Sequence, residues 1–309
     1  MKVVIGPTPP SLVRFLEEKL SPDCRLHIVS VDDLPHEVVD ADVLIPGHMI
    51  VDSELLERAE KMKLIQCGAG FDNVDLNAAS SKRIYVANTP TANTVSVAEH
   101  TFALILALSK QLPRIDASMK RGGWDKLKIV VAELAGRTLG LVGLGNIGIE
   151  VAKRGSALGM RVLSFRRRQV IPEGLDVTLV DFPTLLRESD FVSIHVPLTN
   201  ETKGMFGERE FKLMKTTAYL VNTSRGGIVD ERALHSALVE KRIAGAALDV
   251  FEEEPLPANH FLRRLDNVVL TPHIAGRSLE ALHRRYLLFS ENITRIRDGQ
   301  VPLNLVNDF

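Results

Sequence analysis

The 309-residue sequence predicts an α/β fold with two parallel-sheet domains. Three observations support this prediction. Short apolar runs alternate with amphipathic segments over the first hundred residues, a second such alternation starts near residue 137, and a long apolar segment at 97–110 separates them. Alternation of this kind is typical of parallel strands covered by helices. A chain of this length can also form two separate hydrophobic cores.

Short apolar runs in the first part of the chain predict buried strands at Lys2–Ile5, Leu26–Val29, Val43–Ile45, Leu64–Gln66 and Ile84–Val86. Apolar residues at helical spacing between these runs, such as Leu12, Phe15 and Leu16, predict covering helices. The segment 97–110 is apolar around most of its surface. We therefore expect a helix there that its own chain or another subunit must cover.

The second part of the chain opens with a strand, a glycine turn and a helix. Arg137–Val142 predicts a buried strand, and the motif G-x-G-x-x-G follows at 143–148. In such a motif the first glycine makes a tight turn, the second lets the backbone approach a pyrophosphate, and the third lets the helix pack on the strand. Because the required strand and helix flank the motif, we predict a dinucleotide-binding site that includes Gly143, Gly145, Asn146, Ile147 and Gly148.

Further strands and helices alternate after the glycine motif. Strands are predicted over 160–165, 191–195, 218–222, 245–249 and 268–270, and helices over 183–188, 208–214, 231–240 and 278–298. The last helix stops before Gly299, a common helix end. Together these elements predict two Rossmann-like domains, one flavodoxin-like and one doubly wound, with an interdomain cleft.

The residues after the strand at 160–165 bear on the choice of cofactor. An NAD site usually has Asp or Glu here, which accepts hydrogen bonds from the ribose 2′-hydroxyl. This chain has Arg166, Arg167 and Arg168 instead. A guanidinium can bind a 2′-phosphate in a bidentate fork, whereas a carboxylate would repel it. A solvated basic turn is the alternative, but we expect a preference for NADP(H), with NAD(H) possible.

Composition excludes several classes of protein. Charged residues make up 25% of the chain and the net charge is −1, so no surface for a nucleic acid is indicated. Cys24 and Cys67 are too few for a disulfide framework and form no metal-ligand motif, so no metal is expected. The apolar stretch at 102–108 is too short to span a bilayer, and the N-terminus lacks the core of a signal peptide. We expect a soluble cytoplasmic protein.

Three loops that follow predicted strands carry candidate catalytic side chains, namely Arg225, Glu254 and His273. Ligands of open α/β sheets bind at such loops. These residue types suit reduction of a 2-keto acid by a cofactor hydride, since arginine can bind a carboxylate or carbonyl and histidine can protonate an alkoxide. A carboxylate on the other imidazole nitrogen would favour the protonated ring. From the residues alone, Glu252 or Glu253 could take the place of Glu254.

Seven segments together resemble the D-isomer-specific 2-hydroxyacid dehydrogenase family. They are Cys-Gly-Ala-Gly-Phe-Asp-Asn-Val-Asp at 67–75, Val-Ala-Glu-His at 97–100, Gly-Leu-Gly-Asn-Ile-Gly at 143–148, Ser-Ile-His-Val-Pro-Leu-Thr at 193–199, Asn-Thr-Ser-Arg-Gly-Gly at 222–227, Asp-Val-Phe-Glu-Glu-Glu-Pro at 249–255 and Thr-Pro-His-Ile-Ala-Gly at 271–276. The resemblance covers most of the chain, in the family's order. It implies a catalytic Arg225, an acid/base His273, and a partner glutamate just before the proline, which is Glu254.

The resemblance also implies binding roles for other residues. The backbone of Gly68, Ala69 and Gly70 is expected to bind the substrate carboxylate together with Arg225. Asp249 resembles the residue that holds the nicotinamide carboxamide. The remaining expected cofactor contacts are Thr223, Ser224, His195, Pro197 and Gly276.

The resemblance further implies a domain organisation. The substrate-binding (catalytic) domain is expected to be discontinuous, over 1–96 and 285–309, with a dinucleotide-binding Rossmann domain over 97–284. The segment 97–108 is expected to help form a homodimer.

One departure from the family's NAD-dependent members is Arg166, which replaces an acid and resembles the NADPH-preferring glyoxylate and hydroxypyruvate reductases. Glu254 distinguishes the chain from formate dehydrogenases, which carry an amide there. We therefore expect NADPH-dependent reduction of glyoxylate or hydroxypyruvate to the D-2-hydroxy acid. Two alternatives stay open. One is a dinucleotide-sensing protein like the carboxy-terminal-binding corepressors; the other is a D-3-phosphoglycerate dehydrogenase, whose substrate phosphate would need a base such as Arg83 or Arg114.

Overall fold

The computed structural model describes residues 1–124, 126–167 and 170–309. These residues form two compact units: a first unit of Met1–Asn93 with Arg277–Phe309, and a second unit of Thr94–Gly276. The two divisions fall three and eight residues, respectively, before those expected after residues 96 and 284. The C-terminal one is earlier because Ser278 caps the last helix by accepting a hydrogen bond from the Ala281 N–H, and this helix packs in the first unit.

The first unit is a parallel sheet with helices. Numbered along the chain, its strands are β1 (Lys2–Ile5), β2 (Arg25–Ile28), β3 (Val43–Ile45), β4 (Leu64–Gln66) and β5 (Tyr85–Ala87). Its helices are α1 (Pro10–Glu17), α2 (Leu34–Glu37), α3 (Ser53–Arg58), α4 (Leu76–Ser81) and the last helix of the chain, α11 (Leu279–Arg297). The strand order is β2-β1-β3-β4-β5, the flavodoxin-like order.

The second unit is a larger parallel sheet. Its strands are β6 (Thr138–Val142), β7 (Arg161–Phe165), β8 (Thr178–Leu179), β9 (Phe191–Ile194), β10 (Tyr219–Asn222), β11 (Gly245–Leu248) and β12 (Val268–Leu270). Its helices are α5 (Thr94–Ser109), α6 (Leu112–Lys120), α7 (Asn146–Ala157), α8 (Phe182–Glu188), α9 (Glu208–Leu213) and α10 (Glu231–Val239), with 3₁₀ turns at Gly226–Ile228 and Phe261–Arg264. The order β12-β11-β10-β9-β6-β7-β8 is that of a doubly wound sheet.

Strand β6 shows why this sequence forms a sheet covered on both faces. All five of its residues are buried. Leu139 and Leu141 pack in the core that contains residues of α5 and α7, whereas Val142 packs in the core that contains residues of α8. A strand buried on both faces has a continuous apolar sequence rather than an alternating one.

The predicted fold of two parallel-sheet α/β domains is confirmed, and most predicted elements are present with ends shifted by one to three residues. One correction concerns the segment predicted as a buried strand over 26–29. It is an edge strand, β2, in which Arg25, His27 and Ile28 are exposed, because β1 is its neighbour on one side alone. Helix α6 was not predicted, since it buries none of its residues and so carries little apolar periodicity.

Helix α5 is covered within its own unit. It buries ten of its sixteen residues and packs against α7, β10, β11 and β12. Of the two ways to cover the predicted apolar helix, the structure therefore favours the helix's own chain. Among the described residues, no helix combines the length and apolar character needed to cross a membrane.

The sheet of the second unit brings the sequence-predicted loops to one edge. All its strands are parallel, so their carboxyl ends lie on the same side. At this edge the chain leaves β6 toward β7 on one side, while β9 lies on the other side of β6. Such a switch point is where open α/β sheets bind ligands.

Candidate active site

The glycine turn between β6 and α7 has the geometry that the motif predicts. Gly143 has φ of +102°, and a β-carbon there would lie 2.6 Å from the carbonyl oxygen of His195. A β-carbon on Gly148 would lie 2.4 Å from the carbonyl oxygen of Gly143. Both positions therefore require glycine for the fold itself, because real β-carbons do not approach so closely.

Gly145 differs from the other two glycines. It has φ of −86°, and a β-carbon there would meet no atom within 4 Å. The fold alone does not require glycine at this position, whereas a ligand lying on the backbone would. Gly145 is also the N-cap of the twelve-residue helix α7, whose N-terminus favours anions. These residues fit the pyrophosphate of a dinucleotide.

Arg166 follows β7 directly, next to the glycine turn. The Gly143 N–H donates to the carbonyl oxygen of Phe165, 2.9 Å away, which joins the end of β7 to the turn. Arg166 Nη1 donates to the Val170 carbonyl at 2.5 Å. Arg167 is exposed and lies 3.6 Å from Glu201 Oε2. The third predicted arginine, Arg168, lies outside the described residues.

His195 follows β9 on the other side of the switch point. Its ring Nε2 lies 2.9 Å from Ser193 Oγ. Burial lowers the pKa of His195 to about 4, so its ring is neutral at pH 7. A neutral ring with one donor and one acceptor nitrogen suits uncharged hydrogen-bonding groups better than phosphates. Pro197, two residues on, accepts a hydrogen bond from Thr202 Oγ1 through its carbonyl.

The loop after β10 is held by Asn222. Its Oδ1 accepts hydrogen bonds from the N–H and hydroxyl of Ser224, at 3.0 and 2.8 Å, and its Nδ2 donates to the Arg225 carbonyl. A β-carbon on Gly226 would lie 1.9 Å from the carbonyl carbon of Phe251. Glycine therefore brings the loop that carries Arg225 against the loop after β11.

Glu254 and His273 are in direct contact. His273 Nδ1 lies 2.6 Å from Glu254 Oε2, and both side chains are about a third exposed. The other carboxylate oxygen, Oε1, accepts a hydrogen bond from the Phe251 N–H at 3.0 Å. This second bond orients the carboxylate within its own loop. The contact at Nδ1 fixes the orientation of the imidazole ring.

The structure also distinguishes the three consecutive glutamates. The N–H groups and carboxylates of Glu252 and Glu231 bond reciprocally, at 2.9 and 3.2 Å. Glu231 lies 3.1 Å from His260 Nε2, and burial raises the pKa of its carboxyl. Glu253 is exposed. Glu254 is thus the glutamate in contact with His273.

Asp249 is fully buried and holds the loop that carries His273. Its Oδ1 accepts hydrogen bonds from Thr271 Oγ1 at 2.6 Å and the Ile274 N–H at 2.9 Å, and its Oδ2 accepts one from the Ala275 N–H at 2.8 Å. The backbone of His273 has φ of +51°, a conformation rare outside glycine. Bonds from Asp249 on both sides of this residue stabilise that conformation.

Helix α5 supplies polar groups to these loops, and the sequence did not indicate them. Ser96 Oγ donates to the Ala275 carbonyl at 2.6 Å, and Thr101 Oγ1 lies 3.1 Å from Thr223 Oγ1. His100 Nε2 lies 3.1 Å from Thr271 Oγ1. Since the Thr271 hydroxyl donates to Asp249, His100 is the donor in that pair. The helix therefore positions the predicted catalytic loops.

The Gly68 loop, residues 68–70, belongs to the first unit and follows β4. Its carbonyls are engaged, because Gly68 accepts from the Thr89 N–H at 2.9 Å and Ala69 accepts from Asn88 Nδ2 at 3.0 Å. Among the described residues, none of the hydrogen bonds found has a Gly68, Ala69 or Gly70 N–H as its donor. Amide groups arranged in this way suit an anion.

Of the two arginines considered for a substrate phosphate, Arg83 is in the same unit as this loop but does not lie at it. Arg83 precedes β5 and so lies at the amino edge of the first sheet, whereas the Gly68 loop lies at the carboxyl edge. Arg114 is on α6 and donates to Gln111 Oε1 at 2.8 Å. A different arginine, Arg285 on α11, lies beside Gly68, with its guanidinium carbon 3.7 Å from where a Gly68 β-carbon would be. The spacing of residues in the sequence does not predict the proximity of Arg285 to Gly68.

The glycine turn and the three loops occur in a region that matches a known protein family. The family model described as "D-isomer specific 2-hydroxyacid dehydrogenase, NAD binding domain" matches residues 102–275, more than half of the chain. The chain belongs to this family. Its second unit is accordingly the NAD-binding part of an oxidoreductase.

Relatives in the 2-hydroxyacid dehydrogenase family include enzymes named for different substrates. The glyoxylate reductase of Thermococcus litoralis is 46% identical over 267 residues, which cover 83% of this chain and 80% of the relative. The D-3-phosphoglycerate dehydrogenase of Archaeoglobus fulgidus is 42% identical over 283 residues, 90% of this chain. The chain spans about half the length of that relative, 54%.

A solved structure in the family shares the fold. The D-lactate dehydrogenase of Aquifex aeolicus, in complex with NAD and lactic acid, is similar with a TM-score of 0.90 and 34% identity over 99% of each chain. The family and the fold thus agree with the resemblance that the sequence motifs indicate.

Proposed function

We propose that the protein catalyses NADPH-dependent reduction of a small 2-keto acid, such as glyoxylate or hydroxypyruvate, to the 2-hydroxy acid, with D configuration where the product is chiral. The contact between His273 Nδ1 and Glu254 Oε2 carries this proposal. It supplies an oriented proton donor on a loop of the NAD-binding unit. Relatives named glyoxylate reductase and hydroxypyruvate reductase support the substrate class.

In the proposed reaction His273 donates a proton from Nε2 to the substrate oxygen. Glu254 holds the opposite ring nitrogen and stabilises the imidazolium before transfer. Arg225 binds the substrate carboxylate or polarises its carbonyl through the N–H groups of its guanidinium. The N–H groups of the Gly68 loop, Gly68, Ala69 and Gly70, bind the carboxylate. When bound, the reduced nicotinamide supplies the hydride.

The proposed cofactor residues fall into three groups by chemistry. The turn formed by Gly143, Gly145, Asn146, Ile147 and Gly148 receives the pyrophosphate at the start of α7. The arginines after β7 bind the 2′-phosphate, which favours NADP(H) over NAD(H). The remaining residues surround the nicotinamide end, with Asp249 as the proposed carboxamide acceptor, and they are His195, Pro197, Thr223, Ser224, Asp249 and Gly276.

The proposal is tested by steady-state assays with the purified protein. Glyoxylate, hydroxypyruvate, pyruvate and 3-phosphohydroxypyruvate are each supplied with NADPH or NADH, oxidation is followed by absorbance, and the configuration of each chiral product is determined. We expect turnover that is faster with NADPH, a D product, and loss of turnover in His273→Asn. Tight cofactor binding without turnover would favour a corepressor-like sensor. Turnover confined to NADH and 3-phosphohydroxypyruvate would favour a phosphoglycerate-type enzyme.

We also propose a cytoplasmic homodimer. We place the interface at the segment 97–108 and at the exposed apolar residues that follow it near α6, since exposed apolar patches commonly mark protein interfaces. They are Leu112, Met119, Trp124, Leu127 and Val130. Light scattering after size exclusion should give twice the mass of the 34.1 kDa chain.

A further inference from the structure

Arg285 is a charged side chain that the proposed reaction does not use. Its Nε is buried and has no hydrogen-bond partner, a rare state for a guanidinium. Burial lowers the pKa of this group, the nearby Tyr286 raises it, and the like charge of Arg277 lowers it further. A buried N–H donor without a partner destabilises the fold, and a ligand that supplies an acceptor would remove that cost.

The register of α11 places Arg285 beside the Gly68 loop. Asn292 Nδ2 donates to Gln66 Oε1 at 2.7 Å, which joins α11 to the end of β4 two residues before Gly68. Arg285 lies seven residues before Asn292, two helical turns away on the same face. Three guanidinium atoms of Arg285 then lie 3.7 to 3.9 Å from the position of a Gly68 β-carbon. All these residues belong to the first unit.

The charges in the proposed reaction indicate that Arg285 would bind a second anionic group of the substrate. In the proposed reaction, the charges of Arg225 and protonated His273 are matched by Glu254 and the single carboxylate of a simple 2-keto acid. Arg285 adds one positive charge beside the loop proposed to bind that carboxylate. A substrate with a second anionic group would restore the balance, and a guanidinium suits both carboxylate and phosphate.

We infer that Arg285 binds a second anionic group of the substrate, so that the preferred substrates are small 2-keto acids with a distal carboxylate or phosphate. This inference rests on the proposed function and changes its preferred substrates from the monoanionic glyoxylate and hydroxypyruvate to dianionic 2-keto acids. Arg285 is then a specificity-determining residue, with no part in proton or hydride transfer. Its replacement by a neutral side chain of similar length should weaken dianionic substrates selectively.

The test compares matched substrate pairs in the wild type and Arg285→Met. The pairs are 2-ketoglutarate with 2-ketopentanoate, which has the same chain length but no distal carboxylate, and 3-phosphohydroxypyruvate with hydroxypyruvate. In Arg285→Met we expect kcat/KM to fall at least about 30-fold for the dianionic member of one pair or of both, because its KM rises. For the monoanionic members, kcat/KM should stay within about threefold of the wild type. The pair that responds distinguishes a distal carboxylate from a phosphate. Arg284→Met, an exposed neighbour on α11, should change neither ratio.

Two further measurements keep the inference falsifiable. Ligand-free Arg285→Met should melt at the wild-type temperature or above, because it removes a buried N–H donor that has no hydrogen-bond partner. Arg285→Lys keeps the charge and should retain part of the preference. An equal loss on all substrates, no loss on any, or a variant that melts well below the wild type would overturn the inference.

Failure of the proposed function can be separated from failure of this inference. If no 2-keto acid is reduced, calorimetry with D-malate and D-lactate in the presence of NADP⁺ measures binding alone. Tighter binding of D-malate by the wild type, lost in Arg285→Met, would support the second anion site even then. Equal binding of the two acids by the wild type would overturn it.

Discussion

His273 Nδ1 and Glu254 Oε2 lie 2.6 Å apart, although nineteen residues separate them in the chain. Strands β11 and β12 are neighbours, so the loops that follow them meet at the carboxyl edge of the sheet. The Phe251 N–H holds the other oxygen of Glu254, and Asp249 holds the backbone on both sides of His273. The pair is thus positioned by the protein before any substrate binds.

Glu254→Gln should impair reduction most strongly at high pH. The carboxylate stabilises the imidazolium that donates the proton, whereas an amide stabilises it much less. We expect kcat for reduction to fall about tenfold to a hundredfold near pH 7.5, and its fall with rising pH to begin at a lower pH than in the wild type. The measurement is the pH profile of kcat with saturating NADPH and hydroxypyruvate.

Glu253→Gln is the matched control for this variant, because Glu253 is the exposed neighbour in the same loop. It should keep both the rate and the profile of the wild type. An unshifted profile in Glu254→Gln, or an equal shift in Glu253→Gln, would contradict the assigned partnership.

Gly145→Ala should separate cofactor binding from folding. A β-carbon at this position meets no protein atom within 4 Å, and its φ of −86° is open to alanine. We expect the unfolding free energy of the cofactor-free protein to change by less than about 1 kcal/mol, while NADPH binding weakens about tenfold or more as the methyl occupies the pyrophosphate's place. Calorimetric titration and thermal melting measure the two effects.

Gly143→Ala provides the contrast for this experiment. Its φ of +102° and its 2.6 Å approach to the His195 carbonyl should lower stability by at least about 1 to 3 kcal/mol without cofactor. Normal NADPH affinity in Gly145→Ala would show that the dinucleotide does not lie on this turn.

Arg166→Asp should reverse the preference between the two cofactors. The change replaces attraction for a 2′-phosphate by repulsion, and gives a ribose 2′-hydroxyl an acceptor. We expect the ratio of NADPH to NADH dissociation constants to rise at least about tenfold. Arg161→Asp, at the amino end of the same strand, should leave the ratio unchanged. Equal weakening of both cofactors would place the phosphate elsewhere.

Local sequence patterns predict the fold and the glycine turn well, because each depends on neighbours in the chain. The turn needs a strand before it and a helix after it, and both signals are within twenty residues of Gly143. The choice among Glu252, Glu253 and Glu254 could not be made in this way. It depends on which side chain reaches His273 and which reaches Glu231 across the sheet edge.

The features that the sequence did not indicate are contacts between distant segments. Ser96, His100 and Thr101 lie in a helix that is mostly apolar, so they resemble ordinary buried polar residues until the loops they contact are known. Arg285 and Gly68 are more than two hundred residues apart and meet because Asn292 joins α11 to β4. Hydrophobic periodicity in the sequence does not predict such a contact.

His195 should make the stability of the protein depend on pH. Its pKa is lowered from 6.5 to about 4 by burial, so the unfolded chain takes up a proton there at a higher pH than the folded protein does. The resulting stabilisation is complete above pH 6.5 and is lost as pH falls toward 4, by up to about 3 kcal/mol. His195→Gln removes the titrating ring and should show a smaller loss. Urea unfolding of the cofactor-free protein between pH 7 and 4.5 measures the difference.

The control for this last prediction is His36→Gln, which replaces an exposed ring in the first unit and should follow the wild type over the same range. The difference in unfolding free energy between wild type and His195→Gln should change with pH. Until the pH nears 4, protonation of His195 stabilises the unfolded wild-type chain and not the folded protein. A difference that is constant from pH 7 to 4.5 would mean that the His195 ring accepts its proton as readily in the folded protein as in the unfolded chain.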